Sequence, residues 1–481
     1  MANKTAKGLM WRSLEGIGVQ GMQFIIQMVL ARILMPEDFG ILAILNIFIN
    51  LANTFVQNGL SSAILQKKKA EYIDFCTVFH VEIVMSLLMY IIVFAAAPYI
   101  ALYYENPDLT LYMRVFALTI ITSALGSTQT TVLRNNMDFK PSFIANFSGI
   151  VVQGITGIAA ALLGFGVWSL IVSQIFYRIV TTFLLFWFAR WTPKFQFSWQ
   201  RLKEMFSYSW KLLVAWLIGT LYNDVISLVV GKVYNAEQLG YYSKGNSIPN
   251  VINRVVTQVT TAVMFPAISK VQDQKDVVKH KTRKMISLSS VLIFPVMAVV
   301  AGCARPLVLI LLTQKWLPAV PVIQLFCIPM AINVISNANM QSFNAIGRSD
   351  VFLKFEIIKR SLTIIIVIIT SRIDFILMLC CIAAMGFVSL IINAFYNVKL
   401  LKYRVKEQLV DIVPYMLISA VLFLVLFFID KLNTRTIFVL GIQLLFSAVA
   451  YFGLVSFSNI QAFKDCREIL KPILQKMLKK G

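Results

Sequence analysis

Asn46, Asn50, Asn53, Gln57 and Ser61 recur at spacings of 4, 3, 4 and 4 residues, which sets them on one face of a helix. Ser243, Asn246, Asn250, Asn253 and Thr257 form a second stripe of the same kind. A third face carries Arg12, Gly16, Gln20, Gln23 and Gln27, and a fourth Asn333, Asn337, Gln341 and Asn344. The surrounding residues are apolar, where an unpaired amide is costly, so these faces should turn inward. They can act as glue, hydrogen-bonding across tightly packed helices, or they can line a polar cavity. For a single amide, glue suffices. Four stripes, two of them duplicated, favour the cavity.

Charges within the apolar segments add to this. An arginine near mid-bilayer costs at least ~2.5 kcal/mol unless it is paired or hydrated, and Arg114, Arg178 and Arg254 all fall in such segments. Arg114 lies close enough to a segment end to snorkel or pair. Arg254 directly follows Asn253, so it faces either the cavity or a packed interface. Arg178 and Arg254 join the amides as candidate substrate-binding residues. Arg12 and Lys211 sit at helix ends that could receive an anionic head group, although ordinary basic flanking charge accounts for Lys211 more simply. The acids in these segments are few: Glu15, Glu82, Asp224 and Glu356. Asp224 follows Asn223 well inside a segment. A carboxylate there can take up a proton or Na⁺ as access alternates, or pair with Arg32 or Lys232. Glu15 stands one turn from Arg12 and can pair with it. Asn223, Asp224 and Glu15 form the candidate ion-coupling set.

Other chemistries find little support. His80 and His280 are far apart, which argues against a metal site or catalytic triad. Cys76, Cys303, Cys327, Cys380, Cys381 and Cys466 lack metal-ligand or disulfide spacing and read as small hydrophobes. No GxxxxGK[ST] phosphate loop occurs. No cofactor is implied. The formal charge of +22 could suggest nucleic acid, but the basic residues sit in short clusters between apolar segments.

The elements that must position these residues are membrane helices. Of the 481 residues 58% are hydrophobic and 14% charged, with a mean hydropathy of +0.77. Candidate spans fall near 10–34, 40–65, 73–101, 110–133, 142–163, 167–189, 209–231, 240–266, 286–312, 320–345, 352–370, 374–397, 411–429 and 436–457, about fourteen in all. The spans near 40–65, 240–266 and 320–345 are the most polar. With the N-terminus inside, about three quarters of the 44 basic residues fall in alternate loops, which predicts both termini cytoplasmic. The basic N-terminal stretch lacks a cleavage-site pattern and reads as part of a retained first helix. The loops are too short to hold a folded domain.

Those helices appear in duplicate at an offset of 200 residues. Arg32, Glu37 and Gly40 match Lys232, Glu237 and Gly240; Asn46, Asn50 and Asn53 match Asn246, Asn250 and Asn253. Gln20, Gln23 and Gln27 match Thr220, Asn223 and Ser227, and Gln57 and Ser61 match Thr257 and Thr261. The repeat contains six spans, an even number, so its copies enter the membrane from the same side and are parallel repeats. The expected fold class is an all-α polytopic membrane protein. It has an N-terminal lobe over 1–205, a C-terminal lobe over 206–400, and two further helices with a basic tail over 401–481.

Five motifs carry a family likeness: QGMQFIIQMVLARILMPEDFG (Gln20–Gly40), LRNNMDFK (Leu133–Lys140), YNDVISLVVGKVYNAEQLGYYSKGNSIPNVI (Tyr222–Ile252), KWLPAVPVIQLF (Lys315–Phe326) and AIGRSD (Ala345–Asp350). In this order they resemble the oligosaccharide flippases of the polysaccharide transporter family, within the multidrug/oligosaccharidyl-lipid/polysaccharide exporter superfamily. The likeness is greatest to the Wzx- and teichuronic-acid-exporter-like members. The resemblance implies a V-shaped pair of six-helix lobes around a central cationic cavity. It implies flipping of undecaprenyl-diphosphate-linked oligosaccharide from the inner to the outer leaflet of the cytoplasmic membrane, driven by a proton or Na⁺ gradient. The diphosphate would sit among basic residues and the sugar among amides. A polysaccharide polymerase, glycosyltransferases and membrane lipids are the implied partners.

Two other classes compete. An integral-membrane polymerase or ligase usually needs a large outer loop bearing Arg or His, and here the outer loops are a few residues long. A small-molecule antiporter of the same superfamily commonly has twelve helices.

Overall fold

Some helix starts are marked by side chains that satisfy free backbone N–H groups. Ser198 Oγ accepts from Arg201 N at 3.4 Å, and Asp374 Oδ2 accepts from Leu377 N at 2.9 Å. Pro36 opens a helix whose first turn holds Glu37 and Asp38, acids at the positive end of the dipole. The computed structural model describes residue 11 and residues 15–457, apart from 58, 68, 270, 272–273, 346–348 and 433–434. Among the described residues there is no β-strand.

The helices are α1 (Gln20–Ile33, led by a π-helical turn, Glu15–Val19), α2 (Pro36–Gln57), α3 (Leu60–Gln66), α4 (Tyr72–Tyr103), α5 (Leu109–Phe116), α6 (Leu118–Asn135), α7 (Lys140–Leu162), α8 (Val167–Ala189) and α9 (Trp199–Val233). They continue as α10 (Ala236–Ser269), α11 (Lys275–Gly302), α12 (Ala304–Leu311), α13 (Val320–Ala345), α14 (Ser349–Thr370), α15 (Phe375–Leu401), α16 (Val405–Ile429) and α17 (Thr436–Phe457). Among the described residues the predicted spans fall on helices, those near 40–65, 110–133 and 286–312 on two consecutive helices each. Among the described residues, ten helical stretches are long and apolar enough to cross a membrane. The other four spans fall on α1, α10, α14 and α17. α1 has 14 residues. α10 carries its amide stripe with Lys244 and Arg254, and α14 holds Lys354, Glu356, Lys359 and Arg360. α17 is apolar from Thr436 to Tyr451.

Leucine and isoleucine cover the outside. On α4, Val84, Leu87, Leu88, Ile91 and Ile92 are all exposed, a surface suited to lipid. Cys76, Cys303 and Cys327 are buried, as small apolar groups would be, while Cys380 is exposed.

By packing, the chain divides into residues 1–240 and 241–481. In the first unit α7 lies along α8, α6 against α8 and α4, and α9 against α2 and α3. The lobe boundary expected at residue 205 falls near the start of α9. An ion cluster ties three of these elements together at one end: buried Asp74 of α4 takes Lys67 Nζ at 2.8 Å and Arg201 Nη1 at 3.2 Å.

In the second unit α11 packs on α13 and α16, and α15 packs on α13 and α14. The two helices outside the repeat are fastened to α11. Arg283 makes a bidentate pair with Asp411 of α16, at 2.8 and 2.9 Å, and Lys279 pairs with Glu407 at 2.9 Å. Tyr403 OH donates to Asp411 at 2.6 Å. From α17, Gln443 Nε2 donates to the carbonyls of Leu426 at 2.8 Å and Gly302 at 3.3 Å.

Candidate functional site

The amide stripe of α2 runs beside α9. Ile44 meets Gly231, Thr54 Oγ1 lies 3.2 Å from Thr220 Oγ1, and Gly59 sits against Ser209, so the two helices are antiparallel. In that register Asp224, one turn after Thr220, lies level with Asn50, one turn before Thr54. The fold thus brings one candidate ion-coupling residue to the height of a candidate substrate residue. Asn46, Asn53 and Gln57 are half-buried and Asn50 is exposed. Gln57 Nε2 donates to Asn53 Oδ1 at 3.3 Å. The second copy keeps the same bond: Thr257 Oγ1 donates to Asn253 Oδ1, also at 3.3 Å.

The starts of α2 and α10 meet backbone to backbone. A Cβ added to Gly40 would stand 1.6 Å from the Ala236 carbonyl oxygen, and one added to Gly240 would stand 1.9 Å from that of Pro36. At the 200-residue offset Pro36 matches Ala236 and Gly40 matches Gly240. The contact is therefore reciprocal, each copy resting its glycine on the other's first residue. Only glycine permits so close an approach.

Beside this contact lies a cleft of about 460 Å³, lined among others by Glu37, Tyr104, Glu105, Asn106, Lys232 and Asn235. Lys232 Nζ donates to Glu105 Oε1 at 2.9 Å and to the Tyr103 carbonyl at 2.6 Å. Burial pushes the Tyr104 hydroxyl well above its ordinary pKa, and neighbouring Tyr103 adds to the effect. The residues from Tyr103 to Asn106 were not singled out in the sequence, where they read as an ordinary loop.

In the second unit the stripe of α10 holds Asn246, Asn250 and Asn253 half-buried, with Arg254 exposed. Asn246 Oδ1 is buried and has no hydrogen-bond partner among the described residues. On α13, exposed Asn333 accepts from Asn337 Nδ2 at 2.5 Å.

The remaining candidates are scattered. Gln23 is exposed and Gln27 half-buried on α1. Arg178 is half-buried on α8, with its guanidinium 5.4 Å from the Tyr177 ring centroid. Arg114 donates to the Phe94 carbonyl at 3.4 Å and stacks on that ring. Asn223 is exposed and Asp224 half-buried; among the described residues Asp224 has no ion-pair partner, and Lys232 is taken by Glu105. Arg12 lies outside the described residues, as does the side chain of Glu15. Glu82, which the sequence showed only as an acid in an apolar run, is fully buried and accepts hydrogen bonds from Ser61, Ser127 and Thr128.

Comparison with known proteins adds to this geometry. Residues 29–321 match the model of a family described as polysaccharide biosynthesis protein. The succinoglycan biosynthesis transport protein ExoT of Rhizobium meliloti (strain 1021) is 23% identical over 358 residues, 74% of this chain and 72% of its own. The lipopolysaccharide biosynthesis protein WzxC of Escherichia coli (strain K12) is 22% identical over 378 residues, 77% of this chain and 76% of its own. Among solved structures, the lipid II flippase MurJ in an inward closed conformation matches with a TM-score of 0.74 at 14% identity, covering 93% of this chain and 98% of that one. An inward-facing multidrug resistance MATE family transporter of the MOP superfamily matches with a TM-score of 0.62 at 14% identity, covering 82% and 99%. At this identity the structural likeness is one of fold, and it agrees with the all-α polytopic architecture. The family model spans more than half of the sequence, and the chain belongs to the polysaccharide biosynthesis protein family.

Proposed function

We propose that this chain is a flippase. It carries undecaprenyl-diphosphate-linked oligosaccharide units from the inner to the outer leaflet of the cytoplasmic membrane, for export of cell-surface polysaccharide. The observation that carries the reading is the family match, which takes in both amide stripes of the repeat. Relatives named for transport in polysaccharide biosynthesis support it, as does a fold shared with a lipid II flippase.

The two six-helix repeats form the moving lobes, and alternating access exposes the stripes to each side in turn. The amides of Asn46, Asn50, Asn53, Gln57, Asn246, Asn250, Asn253, Asn333, Asn337, Gln23 and Gln27 offer paired donors and acceptors to sugar hydroxyls. Arg12, Arg178 and Arg254 supply positive charge for the diphosphate. A proton or Na⁺ gradient drives the cycle through Asp224 with Asn223 and Glu15; one charge moved across 100 mV is worth ~2.3 kcal/mol. Both termini are cytoplasmic, and a polymerase and glycosyltransferases work on either side of the step.

The test is reconstitution. Purified protein in liposomes should expose an undecaprenyl-diphosphate oligosaccharide to a glycosidase confined to the opposite side, faster than protein-free vesicles do. Equal rates would refute the proposal.

A further inference from the structure

Glu82 lies ten residues into α4, about 15 Å from its start at the rise of an α-helix. It is fully buried. Its Oε1 accepts from Ser61 Oγ at 2.9 Å and from Ser127 Oγ at 3.2 Å, and its Oε2 from Thr128 Oγ1 at 3.1 Å. Ser61 and Ser127 are themselves 3.5 Å apart. The hydroxyls come from two elements. Ser61 belongs to α3, just past the break between α2 and α3 at Gly59, and the other two belong to α6.

The charged groups on the elements around α4 are engaged or distant. α3 has none. On α6 only Arg134 is charged, six residues beyond Thr128 and exposed. Glu37 and Asp38 of α2 lie at the end away from α3. Arg114 of α5 is held at Phe94. On α9, Arg201 is bound to Glu71 and Asp74, Lys232 to Glu105, and Lys203, Glu204 and Lys211 are exposed; Asp224 stands level with Asn50. On α4 itself, Asp74 is paired with Lys67 and Arg201, and His80 Nδ1 meets the Cys76 carbonyl at 2.7 Å.

An ionised carboxylate in this place has given up its water for neutral donors alone. One added positive charge removes the imbalance. A proton makes the carboxyl neutral. A bare cation can be gripped by the carboxylate and by hydroxyls that turn their lone pairs inward.

We infer that Glu82, Ser61, Ser127 and Thr128 form a monovalent-cation site, taking a proton or a sodium ion, through which the chain responds to an ion gradient. The site does not include Asp224, and it touches the amide stripes only through Ser61, the last residue of the first stripe. Its role in transport rests on the flippase reading; its occupancy does not.

The test therefore has a binding arm and a transport arm. Full-length protein in detergent is titrated with radioactive sodium, and separately by infrared difference spectroscopy across pH, as wild type and as Glu82→Gln. Wild type should show either saturable sodium binding or a titrating protonated-carboxyl band, and folded Glu82→Gln should lack it. The site is overturned if wild type shows neither signal or the variant keeps both. Ser127→Ala combined with Thr128→Val keeps the carboxyl and removes two donors, so the midpoint should move about tenfold in ion concentration. An unmoved midpoint overturns the site even if Glu82→Gln does not fold. In liposomes, an imposed gradient of the bound ion should accelerate wild-type flipping more than that of Glu82→Gln; equal stimulation of both overturns the coupling role. Absence of flipping by every form counts against the flippase reading, and the binding arm then decides the site alone.

Discussion

An added methyl group at Gly40 or Gly240 tests the reciprocal helix contact directly. At position 40 the new Cβ would lie 1.6 Å from the Ala236 oxygen and 2.5 Å from its carbonyl carbon; at 240 it would lie 1.9 Å from the Pro36 oxygen. The obstacle is backbone, which cannot rotate aside as a long side chain can. The helix starts must part by about 1.5–2 Å before either methyl approaches ordinary contact distance. Overpacking of this kind costs typically ~1–3 kcal/mol. Helix propensity acts in the opposite direction, since alanine is better than glycine by about 1 kcal/mol in a helix interior. Gly441 in α17 supplies the control, because nothing lies within 4 Å of its added Cβ.

Thermal unfolding of purified protein in one detergent, followed by tryptophan fluorescence, should therefore order the variants. Gly441→Ala should unfold at or above the wild-type temperature, and Gly40→Ala and Gly240→Ala below it. The double variant gives a sharper result. One separation of the helix starts relieves both clashes, so Gly40→Ala with Gly240→Ala should cost about as much as the worse single change. Additive losses, or a Gly40→Ala protein as stable as wild type, would show that the glycines do not share one contact.

Three further outcomes follow from the geometry. Asp224→Asn and Arg254→Ala should each slow translocation in the liposome assay at unchanged protein yield, and wild-type rates in both would remove those residues from the mechanism. Arg283→Ala should lower stability by about 1–2 kcal/mol, a figure reduced for solvent screening because the arginine side chain is 35% exposed. Arg283→Lys should recover part of that loss, since it keeps the charge but not the bidentate geometry, and full recovery would contradict the paired bonds to Asp411. A double-mutant cycle of Thr54→Val and Thr220→Val should give a coupling of about 0.5–1.5 kcal/mol in unfolding experiments, whereas additivity would mean that the hydroxyl contact between α2 and α9 contributes nothing.

The helices were legible in the sequence because lipid demands them. An apolar run of bilayer length has no alternative to internal hydrogen bonding, and among the described residues the predicted spans are helical, three of them broken into two helices. The repeat was read from residues whose match was polar and therefore improbable by chance. The bonds from residue 57 to 53 and from 257 to 253, and the crossed glycines at 40 and 240, fall on matched positions. The packing partner of α9 was not legible. Apolar faces of neighbouring helices are interchangeable in composition, and nothing in the residues of α9 states that α2 will cover it.

The ion pairs show why local reasoning stops where it does. Lys232 was an available partner for Asp224, eight residues away on the same helix. Eight residues are about 12 Å of rise, too far for a contact within one helix. The lysine instead reaches Glu105, 127 residues away in sequence. Glu82 presents the same difficulty in a stronger form. Its donors lie 21, 45 and 46 residues away, each an ordinary hydroxyl in an ordinary helix. Ser61 was visible as the last member of the amide stripe, but its spacing could place it only on a face of its own helix. The turn at Gly59 hands that face to α4, and a buried acid surrounded by neutral donors is the result. A helical period can show that a residue must turn inward, but only the folded chain shows which groups it meets there. For this chain, the strongest candidate for sensing an ion came from that second step.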